Sequence, residues 1–165
     1  MSVKLYQPNW SWNDDTDKWL KNMCVGYTLN FPCGMSKVGD VRADLDPTTN
    51  PDFLLDLTQP KTWGFQRGQF DTIICDPPFN MLSDFSRNKF IHVFSDLARK
   101  RIIFSLPLVD IKISSRIWNS TYYITKQSSA FFIRLWQVLD RINSVLDEPS
   151  CEEGSKIEVL ERGTT

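Results

Sequence analysis

The chain has 165 residues and a formal net charge of −1, with 41% hydrophobic, 13% aromatic and 24% charged residues. That length suits one domain with a real core, in which roughly two thirds of the unfolded surface is hidden. The charge balance excludes a broad electrostatic grip on nucleic acid, which shows as a strong basic excess, and no apolar run approaches the roughly 20 residues of a membrane helix.

In chain order, residues 1–12 show no period but carry Tyr6, Trp10 and Trp12. "NDDTDKWLKNM" predicts a helix over 14–23: Asn13 can cap it, acids fill the first turn, and Trp19, Leu20 and Met23 share a face. "VGYTLNF" (25–31) predicts a strand cut off by Pro32, and "CGMSKVGD" a loop. "VRADLD" (41–46) predicts a strand stopped by Pro47, with another short strand around Phe53–Leu55. Loop follows to residue 69, with room for one helical turn. "FDTIIC" (70–75) is the most strand-like run of the chain. In "SRNKFIHVFSDLARK", Phe90, Ile91, Phe94, Leu97 and Ala98 fall at helical spacing, and "RIIFSLP" then predicts a strand. "RIWNSTYYIT" and "FFIRLWQVLD" read as two more strands, although Phe132, Leu135, Trp136, Leu139 and Ile142 also fit a helix. The tail 147–165 is polar and is expected to be loose, leaving one domain over 1–146. Strands alternating with helix or loop predict an α/β class, a Rossmann-like, mostly parallel sheet with an antiparallel last strand.

Cys24, Cys33, Cys75 and Cys151 are far apart, with no Cys-x-x-Cys pair, and His92 is the single histidine. No metal site is expected from that set, and His92 is expected on the surface, off the apolar face of its helix. The N-terminus lacks the charged-then-apolar layout of a signal peptide, so a soluble, cytoplasmic protein with free thiols and no membrane partner is the expectation. Arg99, Lys100 and Arg101 are the nearest approach to a basic patch. They either touch phosphates or form a solvated helix end, where cations are favoured in any case.

The chemistry gathers at "FDTIICDPPFNM" (70–81). Ligands of open α/β sheets bind outside the carboxyl ends of the strands, which is where Asp76 falls. Pro77 and Pro78 fix two φ angles and delete two backbone donors, leaving a stiff run of acceptors. A carboxylate plus a carbonyl suits a ligand bearing two N–H bonds, such as the exocyclic amine of a nucleobase, and Phe79 offers a face for the base to stack on. An aryl amine is a poor nucleophile because its lone pair is delocalised. Two acceptors on its protons favour a more pyramidal nitrogen aimed at an electrophile held in line, and positioning then supplies most of the catalysis. The bland alternative is a rigid turn after a strand.

"DPPF" resembles the Asp/Asn-Pro-Pro-Tyr/Phe/Trp signature of the S-adenosylmethionine-dependent amino-methyltransferases, which methylate adenine N6, cytosine N4 or guanine N2. The upstream segments are similar in order over roughly residues 25–140. The resemblance implies S-adenosylmethionine as cofactor, with Asp76, Pro77, Pro78 and Phe79 as the catalytic tetrapeptide. It implies that "LNFPCG", with Asn30, Phe31, Pro32, Cys33 and Gly34, holds the methionine end of the cofactor. Asp44 would grip the ribose hydroxyls, with Asp46 as competitor, and Asp56 would contact the adenine amino group. Asn80 would bind the target base or cap a turn, and Leu106 and Pro107 would wall the target pocket or form a plain loop. Cys33 would touch the ligand or pack. About nine residues separate the first two strands, so the helix the family places there is expected to be reduced.

The implied activity is methylation of a nucleobase amine, adenine N6 in DNA first, with an RNA base (adenine N6 or guanine N2) as alternative. A non-catalytic nucleic-acid- or protein-binding module keeping the fold stays open, and methylation of a protein amide ranks lower because that branch carries Asn at the position of Asp76. The chain has no room for a separate recognition domain, so recognition falls to loops, and a homodimer would enlarge that surface.

Overall fold

The computed structural model describes residues 12–77, 84–106, 115–126, 133–142 and 157–159. Among these residues eight strands form one sheet: β1 Thr28–Asn30, β2 Val41–Asp44, β3 Phe53–Leu54, β4 Phe70–Cys75, β5 Ala98–Leu106, β6 Trp118–Lys126, β7 Ile133–Arg141 and β8 Ile157–Val159. Their order across the sheet is β3-β2-β1-β4-β5-β7-β6-β8. Strands β1 to β5 pair in parallel, β7 is inserted antiparallel between β5 and β6, and β8 pairs parallel to β6. The expected α/β sheet is therefore present, and β8 falls within the stretch read from sequence as tail.

Helix α1, Asp14–Met23, begins as its cap dictates: Asn13 Oδ1 accepts from the Thr16 N–H at 2.9 Å, and Asp14, Asp15 and Asp17 face the positive end of the helix. Helix α2, Asp84–Leu97, runs directly into β5. An arginine serves the carboxyl end of each helix, where backbone acceptors are left over. Arg101 Nη1 donates to Met23 O at 2.7 Å, and Arg141 Nη2 donates to Ser95 O at 2.6 Å and Ala98 O at 2.9 Å. Arg141 also lies over the Trp118 ring, 4.5 Å from its centroid, while Trp118 Nε1 donates to Ser95 Oγ.

Alternation along the strands divides the core between the two faces. Ile74, Ile103 and Val138 are register partners across β4, β5 and β7, and they pack with Trp12, Leu20, Val38 and Trp136 beneath α1. Their neighbours Ile73, Ile102 and Leu139 point the other way, joining Cys75, Phe104, Ile91, Phe94 and Trp63. Both faces of β4 and β7 are thus covered. That settles the ambiguity in "FFIRLWQVLD": a helix would present one apolar stripe, whereas here Leu139 faces α2 and Trp136 and Val138 face α1. Each fully buried large side chain of this kind contributes roughly 1.5–3 kcal/mol.

Strand β5 starts earlier than sequence predicts, so Arg99, Lys100 and Arg101 belong to a strand and not to a helix end. Arg99 and Lys100 reach Asp71, and Arg101 reaches Asp140 at 2.6 Å. Asp71 Oδ2 also accepts from the Tyr27 N–H at 3.0 Å, close against Gly26. A Cβ on Gly26, whose φ is +64°, would stand 2.3 Å from that oxygen, so this edge requires glycine on both counts.

The crossover from β1 to β2, residues 31–40, contains no helix at all. It is shorter than parallel crossovers usually are, and hydrogen bonds to the sheet and to its own side chains take the place of a helix. Phe31 N donates to Ile74 O, Cys33 N to Ala43 O, and Asp40 N to Thr28 O, each at 2.9 Å. Asp40 Oδ2 accepts from Thr28 N, and Ser36 Oγ accepts from Val38 N and donates to Asp17 Oδ1. Gly39, at φ +104°, turns the chain against Asn30.

Candidate active site

The order of the sheet reverses between β1 and β4, and the crevice at such a switch point is where ligands of open α/β sheets bind. Asn30, the last residue of β1, pairs with Arg42 on one side and Ile74 on the other. Asp44 and Asp76 stand two residues beyond those partners, so register alone brings Asn30, Asp44 and Asp76 to one edge of the sheet.

Asp76 follows a strand buried along its whole length and is itself 7% exposed. An isolated charge there would be costly, so it requires partners. Trp12 Nε1 donates to Asp76 Oδ2 at 2.8 Å, and Arg134 Nη1 donates to the same oxygen. Arg134 Nη1 also lies 3.4 Å from Ser105 Oγ. The donors sit on a stiff base: Trp12 meets Trp136 edge-on at 5.8 Å, Trp136 Nε1 donates to Thr125 Oγ1 at 2.9 Å, and Trp19 packs on both Trp136 and Tyr123. Trp12 belongs to the aperiodic stretch 1–12, yet its ring is buried and its N–H holds Asp76. Arg134 was not singled out from the sequence. The signal was present, because an arginine inside the apolar run "FFIRLWQV" must find a counter-charge when that run becomes a central strand.

Pro77 is buried directly after Asp76. Pro78, Phe79, Asn80 and Pro107 lie outside the described residues, and Leu106 closes β5 opposite Leu135.

At the neighbouring strand ends, Asp44 is held by backbone: Gly34 N donates to its Oδ2 at 2.8 Å and Asp46 N to its Oδ1 at 3.0 Å. Asp44 is buried, whereas Asp46 caps the turn Pro47–Thr49 by accepting from Thr48 N and Thr48 Oγ1. Asp46 thus caps its own turn, and Asp44 ties the β1–β2 loop to the end of β2. Asp56 is likewise engaged locally, its Oδ1 accepting from Thr58 N and Thr58 Oγ1. Asn30 is fully enclosed. Its Nδ2 donates to Val38 O at 3.0 Å, while its Oδ1 has no hydrogen-bond partner. A buried amide oxygen without a donor is costly, and its place at the switch point suits a ligand bearing N–H groups. Pro32 is half-buried, and Phe31 is fully enclosed, edge-on to Trp63 at 5.0 Å. Cys33 is buried 4.0 Å from Thr49 Oγ1, and burial, reinforced by the negative charge of Asp44, pushes its thiol up to about 11. Among the described residues no group of His, Cys, Asp and Glu is placed to hold a metal ion, His92 is exposed, and no helix is long and apolar enough to cross a membrane.

Magnesium protoporphyrin IX methyltransferase (ChlM) from Synechocystis PCC 6803, crystallised with bound SAM, superposes with a TM-score of 0.54 at 16% identity, over 78% of this chain and 77% of that chain. The 1,6-didemethyltoxoflavin-N1-methyltransferase of Burkholderia thailandensis, with its substrate and S-adenosylhomocysteine bound, superposes with a TM-score of 0.56 at 9% identity, over 79% of this chain and 78% of that chain. The chain has a methyltransferase fold. No family model and no curated protein sequence matches it. The β1–β2 crossover carries a hydrogen-bonded loop in place of the helix that the resemblance led us to expect, and Asn30, Asp44 and Asp76 lie together at the edge of the sheet.

Proposed function

We propose that the protein is an S-adenosylmethionine-dependent methyltransferase that acts on an exocyclic amino group of a nucleobase, adenine N6 in DNA first and an RNA base next. The observation that carries this reading is the Asp76 carboxylate at the switch point, followed at once by Pro77, with both of its described donors on a single oxygen. The other oxygen is the natural acceptor for an amine N–H. A carboxylate so placed orients the amine and offsets the positive charge that develops on nitrogen.

The residues present fit the cofactor. Asn30 Oδ1 is an unsatisfied buried acceptor for an ammonium group, and Asp44 stands at the end of β2, where a carboxylate can take the two hydroxyls of a ribose. Asp56 lies at the end of the adjoining strand for the adenine. When bound, S-adenosylmethionine supplies an activated methyl group. The chain's own contribution is to hold the amine, exclude water and keep Asp76 turned toward the nitrogen. The two neighbours named above were crystallised with this cofactor or its demethylated product, and one is by name an N1-methyltransferase, which supports transfer to nitrogen on this fold. The target base would leave its stack to reach Asp76, and with a net charge of −1 the grip on the nucleic acid would be local.

A second reading, a binding module that keeps the fold without turnover, is favoured by the same two donors, because they already engage Asp76. Labelled-methyl transfer to DNA, RNA and protein, followed by nucleoside analysis of the product, separates the readings. N6-methyladenine in DNA is the expected product. Transfer to protease-sensitive material, or no transfer together with no thermal shift on adding the cofactor, would sink the proposal.

A further inference from the structure

The donors on Asp76 do more than neutralise it. A carboxylate has two equivalent oxygens, and Trp12 Nε1 and Arg134 Nη1 remove the equivalence by converging on Oδ2. Both donors are rigidly held. Arg134 projects from β7, where it pairs in register with Thr125 of β6, its side chain is 7% exposed, and its guanidinium lies 5.9 Å from the Trp136 ring centroid. Trp12 leans on the same Trp136, whose own N–H is fixed on Thr125.

We infer that Arg134, assisted by Trp12, is a positioning residue that sets which oxygen of Asp76 meets the substrate amine and makes a carboxylate obligatory at that position. The inference rests on the amine-methylating reading above. Its physical content lies in the difference between a carboxylate and an amide. A carboxylate can satisfy two donors on one oxygen and still present an acceptor with the other. An amide has one acceptor and one donor group. With Trp12 and Arg134 in place, the amide of an Asp76→Asn variant turns its oxygen to them and presents its NH₂ to the substrate amine, so a donor faces a donor. Without these two residues the amide would be free to turn its oxygen to the amine. Asn is therefore excluded at position 76 by residues far away in sequence, on β7 and ahead of α1.

The test uses the full-length chain, adenine-containing single-stranded DNA and RNA oligonucleotides, labelled methyl donor, and calorimetry of cofactor binding in parallel. Asp76→Asn should lose transfer as completely as Asp76→Ala. Arg134→Gln should lower kcat about a hundredfold, the cost of a reacting group misplaced by an ångström, while cofactor Kd stays within about twofold. Arg134→Lys should recover part of the loss, because it restores a charged donor in a different shape. Asp76→Asn retaining a tenth or more of wild-type kcat would overturn the inference. So would a parallel fall of kcat and cofactor affinity in Arg134→Gln, the mark of a merely structural role. If Arg134→Gln does not fold, Trp12→Phe, which removes one donor without stranding a charge, takes its place with an expected loss of about tenfold; an unchanged kcat there overturns the inference equally. A wild-type chain that methylates no nucleobase amine defeats the functional reading and this inference together, whereas an active wild type with unimpaired variants defeats the inference alone.

Discussion

Strand β4 carries a carboxylate near its start and another just past its end, and each is paired with an arginine. Asp71 at the amino edge meets Arg99 and Lys100, whose side chains are 53% and 57% exposed. Asp76 at the carboxyl edge meets Arg134, and those two side chains are 4% and 7% exposed. The chemistry of the pairs is alike, but the surroundings invert their meaning. A pair in contact with water gains little and costs little. A buried pair is not explained by stability, since apolar residues of similar volume would often serve as well. At the amino edge charges tie strands and helix ends together. At the carboxyl edge Asp44 and Asp76 are each held in one orientation by donors at fixed places, and Asn30 carries an acceptor with no donor.

The largest effect that sharpens this contrast is Asp76→Ala. Methyl transfer should fall by about a thousandfold or more, with cofactor affinity retained by calorimetry; a variant keeping most of its activity would break the assignment of roles. Asp44→Ala should do the reverse, weakening cofactor binding by tenfold or more, roughly the worth of a charge-assisted hydrogen bond, while saturating cofactor restores much of kcat. Third, the two arginines can be compared in denaturant. Arg134→Gln strands a buried carboxylate and should cost about 3–5 kcal/mol, whereas Arg99→Gln should cost less than about 1 kcal/mol; equal losses would erase the distinction between the edges. The smallest effect is in acid. The Arg99 guanidinium, helped by the Tyr27 N–H and Lys100, holds the Asp71 carboxyl down from 3.8 to about 2. A lowered folded-state value means that this contribution is fully present above about pH 4 and is lost as the pH falls toward 2. Stability measured through that window should be flatter in Asp71→Asn, by less than about 1 kcal/mol because both cations are exposed.

Much of the fold was legible because it rests on local rules. Asn13 and the acids behind it define the start of α1, and "FDTIIC" with its flanking turn residues defines β4 at both ends. The carboxyl-edge position of Asp76 followed from the end of its strand, whereas that of Asp44 came from the resemblance in the order of the segments. The start of β5 was misplaced because Arg99 to Arg101 read as a helix end until Asp71 and Asp140 were available as partners. The β1–β2 crossover was recognised as too short for a full helix, but the hydrogen bonds that replace it draw on Ile74, Ala43 and Asp17, which no local pattern connects to residues 31–40.

The sequence by itself determined where α1 begins, that "FDTIIC" is a strand, and that a carboxylate followed by prolines ends it, because capping, alternation and proline stereochemistry act over a few neighbouring residues. Only the tertiary structure decided that Trp12 and Arg134 close on one oxygen of Asp76, that Asp44 accepts from the β1–β2 loop, and that Asn30 keeps an unpaired acceptor. Those facts depend on strands meeting across the sheet from distant parts of the chain, and on burial, which makes each unpaired or doubly paired polar atom matter.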